Sequence, residues 1–384
     1  MKRVCVVVGS RANYSSIKSV MTAVAAHPDL ELQVVAAASA LLDRYGAVVN
    51  LIEKDGFPIT ARVQMLVEGE TPQTMAKSAG LGLLELPTIF DLLRPDVVIT
   101  VGDRFETVST AIAVAFMNIP LAHTMGGEVS GTIDESIRHA ITKFAHIHFP
   151  ASQDAAERII RLGEEPEHVH LVGCPLIDLV AEILRKPSDS LNDSLTSSGV
   201  GEAIDVSQPF VIVSQHPVTT EYGEGQKQIT ETLEAVRRIG LPAIVLWPNA
   251  DAGSEDVARG IRKWREKGMD AHMHFYKNLP IEAYVQLLAR TKCLIGNSSS
   301  GIREGAFIGT PVVNIGSRQH SRERASNVIE VDHNVDQIAD AIAAQVAHGR
   351  YPSDHTYGDG NAGSRIADIL ASKTNVSVQK RITY

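Results

Sequence analysis

The sequence predicts an α/β protein built from two doubly wound, parallel sheets. Short apolar runs alternate with helix-length stretches over most of the chain, and most of those runs are apolar at consecutive rather than alternate positions. Continuous apolarity marks strands covered on both faces, the condition that helices on each side of a parallel sheet create. One polar break divides the runs into two comparable sets, and 384 residues exceed what a single ordinary core fills, so two domains are expected.

The strand candidates of the first half are 4–8, 32–37, 96–101, 120–123, 147–149 and 169–172. Those of the second half are 210–213, 243–247, 273–276, 293–295, 312–315 and 328–331. Helix-length patterns between them include 14–26, 71–93, 106–117, 230–239 and 281–290, which makes βα units the repeating element. Residues 186–209 are rich in Ser, Asp, Asn and Gly without an apolar period and read as a linker or surface loop. The expected organisation is therefore a first domain over 1–185, a linker over 186–208 and a second domain over 209–360. An amphipathic stretch follows the Gly358–Gly360 turn, and the segment 361–384 is expected to return to the first domain.

Composition narrows the function. A net charge of −9 argues against nucleic acid as the main partner, so a bound anion must be held by local cations and backbone N–H groups. No run of 18 apolar residues is present, and the valines after Met1-Lys2-Arg3 are too few for the apolar core of a signal peptide. Cys5, Cys174 and Cys293 are widely spaced in apolar contexts, which fits neither a disulfide framework nor a metal site. A cytoplasmic protein without membrane contact is the expectation.

Polar, glycine-containing segments follow the strand candidates, where open α/β sheets bind ligands. Gly9-Ser10-Arg11 opens the first helix and offers N–H groups and a guanidinium to an anion, although an ordinary βα turn with a solvated Arg11 has the same sequence. Gly102-Asp103-Arg104 follows the most hydrophobic strand candidate of the first half; Asp103 suits either a helix cap or a carboxylate facing the crevice, and Arg104 is a candidate substrate contact. The densest segment, His123 to His139, holds three glycines, Glu128, Asp134, Glu135, Arg138 and two histidines. Asp134 and Arg138 share a helix face at i, i+4, and polar density coincides there with glycine density at a strand end, which favours function over a surface salt bridge. Arg138 and His139 join the candidate contacts. The second half adds Ser214-Gln215-His216, then Asn249 within Trp247–Asp251, and the turn Gly296-Asn297-Ser298-Ser299-Ser300-Gly301. That turn is expected to open a helix and hold a diphosphate with serine hydroxyls and N–H groups, while Glu304 either accepts ribose hydroxyls or compensates the helix dipole. Arg318 in Gly316-Ser317-Arg318-Gln319 could bring a second cation.

Taken together, these segments resemble the hydrolysing UDP-N-acetylglucosamine 2-epimerases, the sialic-acid-pathway branch of a glycosyltransferase-B-like family. Gly126-Gly127-Glu128-Val129-Ser130-Gly131-Thr132-Ile133-Asp134, followed by Ser136-Ile137-Arg138-His139-Ala140-Ile141-Thr142-Lys143, carries the resemblance most specifically. It implies two Rossmann-like domains with an interdomain cleft, a UDP-sugar held mainly by the second domain, and a homodimer or dimer of dimers. It implies Asp103 and Asp134 as catalytic carboxylates, and Arg11, His216, Ser298, Ser299, Glu304 and Arg318 as nucleotide-binding residues. The implied chemistry eliminates UDP to a glycal and adds water back with inversion at C2, releasing N-acetylmannosamine; it calls for no cofactor, neither metal nor nicotinamide. One departure matters: the family pattern His-Ile-Glu-Gly-Gly-Glu reads His123-Thr124-Met125-Gly126-Gly127-Glu128 here, so Met125 stands where a third acid is expected. A thioether transfers no proton at neutral pH. Glu128 or His123 substitutes, or the sugar or reaction differs (a glycosyltransferase or a silent sugar-nucleotide binder included). Asn13 also replaces the pattern's Asp.

Overall fold

The computed structural model describes all residues except 69–70, 131–132, 187–190, 192–194, 196–198, 249–252, 278, 374–375 and 384. The chain divides into two compact units, one of Met1–Val129, Ile133–Leu179 and Tyr357–Tyr384, the other chiefly Val180–Thr356. Each is a twisted α/β sheet, in line with the fold class expected from the apolar runs.

In the first unit the strands are β1 (Lys2–Val8), β2 (Leu30–Ala37), β3 (Ala61–Val63), β4 (Val97–Val101), β5 (Leu121–Thr124) and β6 (Ile147–Phe149). They pair in parallel in the order β3-β2-β1-β4-β5-β6. Val6 lies opposite Val34 of β2 and Ile99 of β4, and all three are fully buried, so the central strands could not alternate polar and apolar residues. The helices are α1 (Arg11–Ala26), α2 (Val48–Lys54), α3 (Pro72–Leu93), α4 (Phe105–Phe116), α5 (Ile133–Phe144), α6 (Gln153–Arg161) and α7 (Pro175–Arg185). Strand order reverses between β1 and β4, which opens their carboxyl ends as the ligand crevice of a doubly wound sheet. The strand expected at 169–172 does not form. Only Val169 makes an isolated bridge, to His148, and Leu171 is half exposed at the sheet edge with no further strand to cover it.

The last 28 residues belong to this first unit, and polar groups explain why. The C-terminal helix Ala362–Ser372 is capped by side chains from elsewhere in the unit. Ala362 and Gly363 donate their N–H groups to the Asp178 carboxylate at 2.9 and 2.6 Å, and Lys2 donates its ammonium to the Leu370 and Lys373 carbonyls at 3.0 and 2.6 Å. Gly363 is required because a Cβ would lie 2.7 Å from the Ser19 backbone of α1. Beyond it, Lys380 donates to the carbonyls of Thr142, Lys143 and Ala145 and so caps α5.

The second unit pairs β7 (Val200–Gly201), β8 (Val211–Ser214), β9 (Ala243–Leu246), β10 (Met273–Tyr276), β11 (Cys293–Gly296), β12 (Val312–Ile315) and β13 (Val328–Val331) in the order β13-β12-β11-β8-β9-β10-β7. All are parallel except β7, which is antiparallel to β10. The helices are α8 (Gly225–Ile239), α9 (Ser254–Glu266), α10 (Ile281–Arg290), α11 (Ser299–Ile302), α12 (Glu304–Ile308) and α13 (Val335–His348). Here the order reverses between β8 and β11, and the crevice lies at Ser214–His216 and Gly296–Ser298. The segment expected as a linker does more than connect. Leu191, Leu195 and Val206 are buried in a cluster with Phe210, Ile212 and Leu288, and Tyr276 donates its hydroxyl to the Leu195 carbonyl at 3.0 Å. Three apolar anchors spread among polar residues leave no period to read. Among the described residues no helix is long and apolar enough to cross a membrane.

Buried Glu164 ties the tail to α5 and β6. It pairs with Lys143 at 2.6 Å, Lys380 at 2.6 Å and His148 Nε2 at 3.1 Å. Burial alone would raise its carboxyl, but the hydrogen bonds from His148, Lys143 and Lys380 outweigh it and hold the group at about 2. A carboxyl lowered in the folded state contributes stability above its ordinary value of 4.5 and loses that contribution as pH falls through 4.5 toward 2. Glu164→Gln is expected to lower unfolding free energy near pH 7 by about 2 kcal/mol, below the ~3–5 kcal/mol of fully enclosed pairs because Lys143 is 41% exposed. Urea melts from pH 7 to pH 3 check this: the loss should shrink across that window, and a constant difference would contradict the assignment.

Candidate functional site

At the first crevice the turn after β1 is closed by its own side chains. Ser10 caps α1 by accepting the Asn13 N–H at 3.2 Å, and Asn13 Oδ1 accepts the Gly9 N–H at 3.3 Å. Arg11 is half-buried beside Gly46 and makes no hydrogen bond or ion pair with the described residues, so its guanidinium is available to an anion.

After β4 the capping use of Asp103 is not the one adopted. Helix α4 begins at Phe105 with Arg104 at the cap position, while Asp103 forms an ion pair with Arg138. Arg138 is 2% exposed, and its other terminal nitrogen donates to the Glu128 carbonyl at 2.7 Å. From within α5 the buried Arg138 guanidinium thus links the turn after β4 to the loop after β5, rather than standing on the surface. Asp134 lies half-buried in the first turn of α5, and His139 Nε2 sits 3.5 Å from Glu135 one turn back. Arg104 donates its Nε–H to Glu106 at 2.8 Å.

The glycine-rich loop after β5 is shaped by contact. A Cβ on Gly126 would lie 2.8 Å from His123 Nδ1, and one on Gly127, at φ +76°, would collide with the Ala155 carbonyl. Met125 adopts φ +61° and donates its N–H to the Phe149 carbonyl at 3.0 Å; its sulfur is buried 3.9 Å from the Cys174 thiol. Thioether and thiol together make this part of the wall apolar where an acid was expected. Glu128 is buried next to it.

His123 is fully buried. Its Nε2–H donates to the Gly102 carbonyl at 2.8 Å, which leaves Nδ1 as acceptor facing the Thr142 hydroxyl at 3.4 Å. Burial is the main cause that lowers its basicity to about 3, so the ring is neutral. It holds the Gly102–Asp103 turn in place.

At the second crevice Asn297, fully buried, is the hub. Its Oδ1 accepts the His216 N–H at 2.7 Å, its Nδ2 donates to the His216 carbonyl at 2.9 Å, and its own carbonyl accepts from Arg318 at 3.2 Å and Gln319 at 2.9 Å. Burial first, and the Arg318 charge second, lower His216 to about 3, so this imidazole is neutral; its Nε2 lies 3.5 Å from Ser214 Oγ. Ser298, half-buried like Ser299, contacts Ser300 Oγ at 2.9 Å, and Ser300 is bonded to the Tyr284 hydroxyl at 2.5 Å. The expected continuous helix is broken at Arg303 into α11 and α12, four and five residues long, so its dipole is weak. Gly301 serves packing: a Cβ there would lie 2.8 Å from Val312. Glu304 is buried, and burial pushes its carboxyl up against the opposing effect of Arg303 and Arg322. Asn249 lies outside the described residues.

Sequence reasoning missed Asn297, Gln319, Tyr284 and Glu106 as organisers. Asn297 and Glu106 stand inside the polar segments, but their partners are identifiable only from the sheet order.

Two parallel α/β units, each with cations, carboxylates and hydroxyls gathered at the strand ends of its crevice, define the class of two-sheet nucleotide-sugar-type folds. A family model described as UDP-N-acetylglucosamine 2-epimerase matches residues 22–371. The chain is 32% identical to the UDP-N,N'-diacetylbacillosamine 2-epimerase (hydrolyzing) of Legionella pneumophila, over 96% of each chain. It is 30% identical to the UDP-N-acetylglucosamine 2-epimerase of Neisseria meningitidis serogroup B, over 99% of this chain and 98% of that one. A crystal structure of a Neisseria meningitidis UDP-GlcNAc 2-epimerase bound to UDP-GlcNAc shares the fold at a TM-score of 0.82 and 15% identity, covering 97% of this chain and 100% of that one. The chain belongs to the UDP-N-acetylglucosamine 2-epimerase family.

The hub at Asn297 generates a stability prediction. Asn297→Ala strands the His216 N–H and carbonyl in a buried site and is expected to lower unfolding free energy by about 1–3 kcal/mol. Asn297→Asp is expected to be at least as damaging, since a carboxylate oxygen would face the His216 carbonyl. Equilibrium denaturation of both variants checks the order, and an Asp variant as stable as wild type would contradict it.

Proposed function

We propose that the protein is a hydrolysing 2-epimerase acting on UDP-N-acetylglucosamine or a close 2-acetamido sugar nucleotide. The observation that carries the reading is Asp103, a carboxylate at the end of β4 oriented by buried Arg138, in a family member whose two relatives above are described as 2-epimerases of such sugars. Residues 1–185 with 361–384 form the sugar and catalytic side, and 209–360 the nucleotide side. Asp103 and Asp134 carry the proton transfers. One takes the C2 proton as the C1–O bond breaks and its electrons leave with UDP; water then adds to C1 of the glycal while a proton returns to C2 on the opposite face. Arg11, Arg318, Ser298 and Ser299 stabilise the departing diphosphate, Glu304 receives the ribose, and neutral His216 faces the phosphate or sugar without adding charge. Arg104, Arg138, His139 and Ser300 support the substrate or its contacts. The enzyme acts in the cytoplasm as a homodimer or dimer of dimers.

Glu128 takes over the proton transfer missing at Met125. It is the buried carboxylate of the same loop, and its own carbonyl holds the Arg138 guanidinium that orients Asp103. Glu128→Gln is expected to lower kcat by about 10²–10⁴ with UDP affinity unchanged, while Met125→Glu, placed against the Cys174 thiol, gains less than about tenfold, under 1.4 kcal/mol in barrier. Steady-state kinetics of the two variants reads both, and the reverse ranking would contradict the assignment.

Proton NMR in deuterated water, with UDP-N-acetylglucosamine and with a 2,4-diacetamido sugar nucleotide, tests the reaction itself. Free UDP and a free C2-inverted sugar carrying deuterium at C2 are expected from one of the two. Intact UDP-sugar inverted at C2 would overturn the hydrolytic reading. UDP release that requires an added acceptor would favour a glycosyltransferase, the reading that the loss of an acid at Met125 keeps in view.

A further inference from the structure

Glu106 plays no part in the mechanism above, yet it occupies the point where the two strand-end turns of the first unit meet. It is the second residue of α4 and only 4% exposed. One carboxylate oxygen accepts from Arg104 at 2.8 Å; the other is buried without a partner among the described residues. The Thr110 hydroxyl, one helical turn further along α4, is likewise buried without a partner. Both line a cavity of about 10 Å³ that also touches Gly9, Asn13 and Thr100 at the carboxyl ends of β1 and β4. That is the space one water molecule needs, and the lining is polar enough to hold it. The stem of Glu106 passes so close to Gly9 that any Cβ there would overlap the Glu106 Cγ.

We propose that Glu106 is a positioning residue for UDP binding. It accepts from Arg104 with one oxygen, shares a buried water with Thr110 through the other, and packs against Gly9, so that Arg104 and the turn carrying Arg11 keep a fixed geometry. The inference rests on the reading that Arg11 meets the diphosphate. A carboxylate is suited to the task because a buried unpaired oxygen is costly, and a water with two protein partners removes that cost. The glycine follows from it: residue 9 lacks a side chain because the Glu106 stem fills its place.

The test is UDP affinity by calorimetry together with kcat and KM, on the full-length protein, for Glu106→Ala, Glu106→Gln and Thr110→Val, with melting temperature as the folding control. Glu106→Ala is expected to raise the UDP Kd and the KM together about tenfold, or 1.4 kcal/mol, with kcat changed less than about threefold. Glu106→Gln keeps an acceptor for Arg104 and should recover most of that loss; Thr110→Val should show a smaller rise. Gly9→Ala should lower both stability and affinity. Adding Glu106→Ala to it should restore the melting temperature by removing the overlap while leaving UDP binding weak, a split that a merely structural role would not produce. Unchanged Kd and KM in Glu106→Ala, or Kd and KM in Thr110→Val indistinguishable from wild type should Glu106→Ala not fold, would overturn the proposal. Failure of wild-type protein to bind UDP at all would overturn the underlying reading instead.

Discussion

The first unit is organised around one constraint, the burial of the Arg138 guanidinium. A charged group 2% exposed is tolerable only when it is paired and its N–H groups are satisfied, and here the Asp103 carboxylate and the Glu128 carbonyl do both. That requirement brings the turn after β4 and the loop after β5 onto the first turns of α5. The other end of α5 is held equally firmly, by Lys380 on its last carbonyls and by Glu164 beneath it. A helix fixed at both ends presents Asp134 and Arg138 at reproducible positions. The C-terminal segment thereby fixes α5 from the end opposite Arg138. Neutral His123 completes the arrangement by bonding the carbonyl directly before Asp103.

The second unit meets a similar need with neutral groups. Asn297 links the ends of β8 and β11 through both amide atoms and gathers Arg318 and Gln319 on its carbonyl. The network orients the Arg318 guanidinium at the strand ends through the Asn297 carbonyl. The short, interrupted helices after Gly296 have little dipole, and the Ser298 and Ser300 hydroxyls there are held through Tyr284. Rigid scaffolding on both sheets, with the reactive groups on strand-end loops, is how an α/β fold combines precision with chemical variety.

The α/β class and nearly all the strands were legible because burial on both faces forces consecutive apolar residues, as at Val4–Val8 and Val97–Val101. The polar turns at the strand ends were legible because glycine and charge coincide there. The pairings were not. Asp103 looked like a cap until α5 brought Arg138 to it, a contact across 35 residues that no local spacing encodes. Asn297 reads as one more small polar residue before a serine turn, and the partner of its side chain, His216, lies 81 residues away. Leu191, Leu195 and Val206 were hidden among Ser and Asp because three anchors suffice to fasten a segment to an existing core. The edge segment 169–172 lies beside β6, with His170 and Val172 donating to the His148 and Pro150 carbonyls, but it makes only one isolated bridge.

The dependence of Asp103 on Arg138 is open to direct measurement by a double-mutant cycle on kcat, with UDP affinity as the control for folding. Asp103→Asn and Arg138→Gln act on one unit in this account, so the double variant should lose no more activity than the more damaging single one, a coupling of about 2–3 kcal/mol. Losses that multiply, with no coupling between the two sites, would contradict the claim that the buried guanidinium acts through the carboxylate.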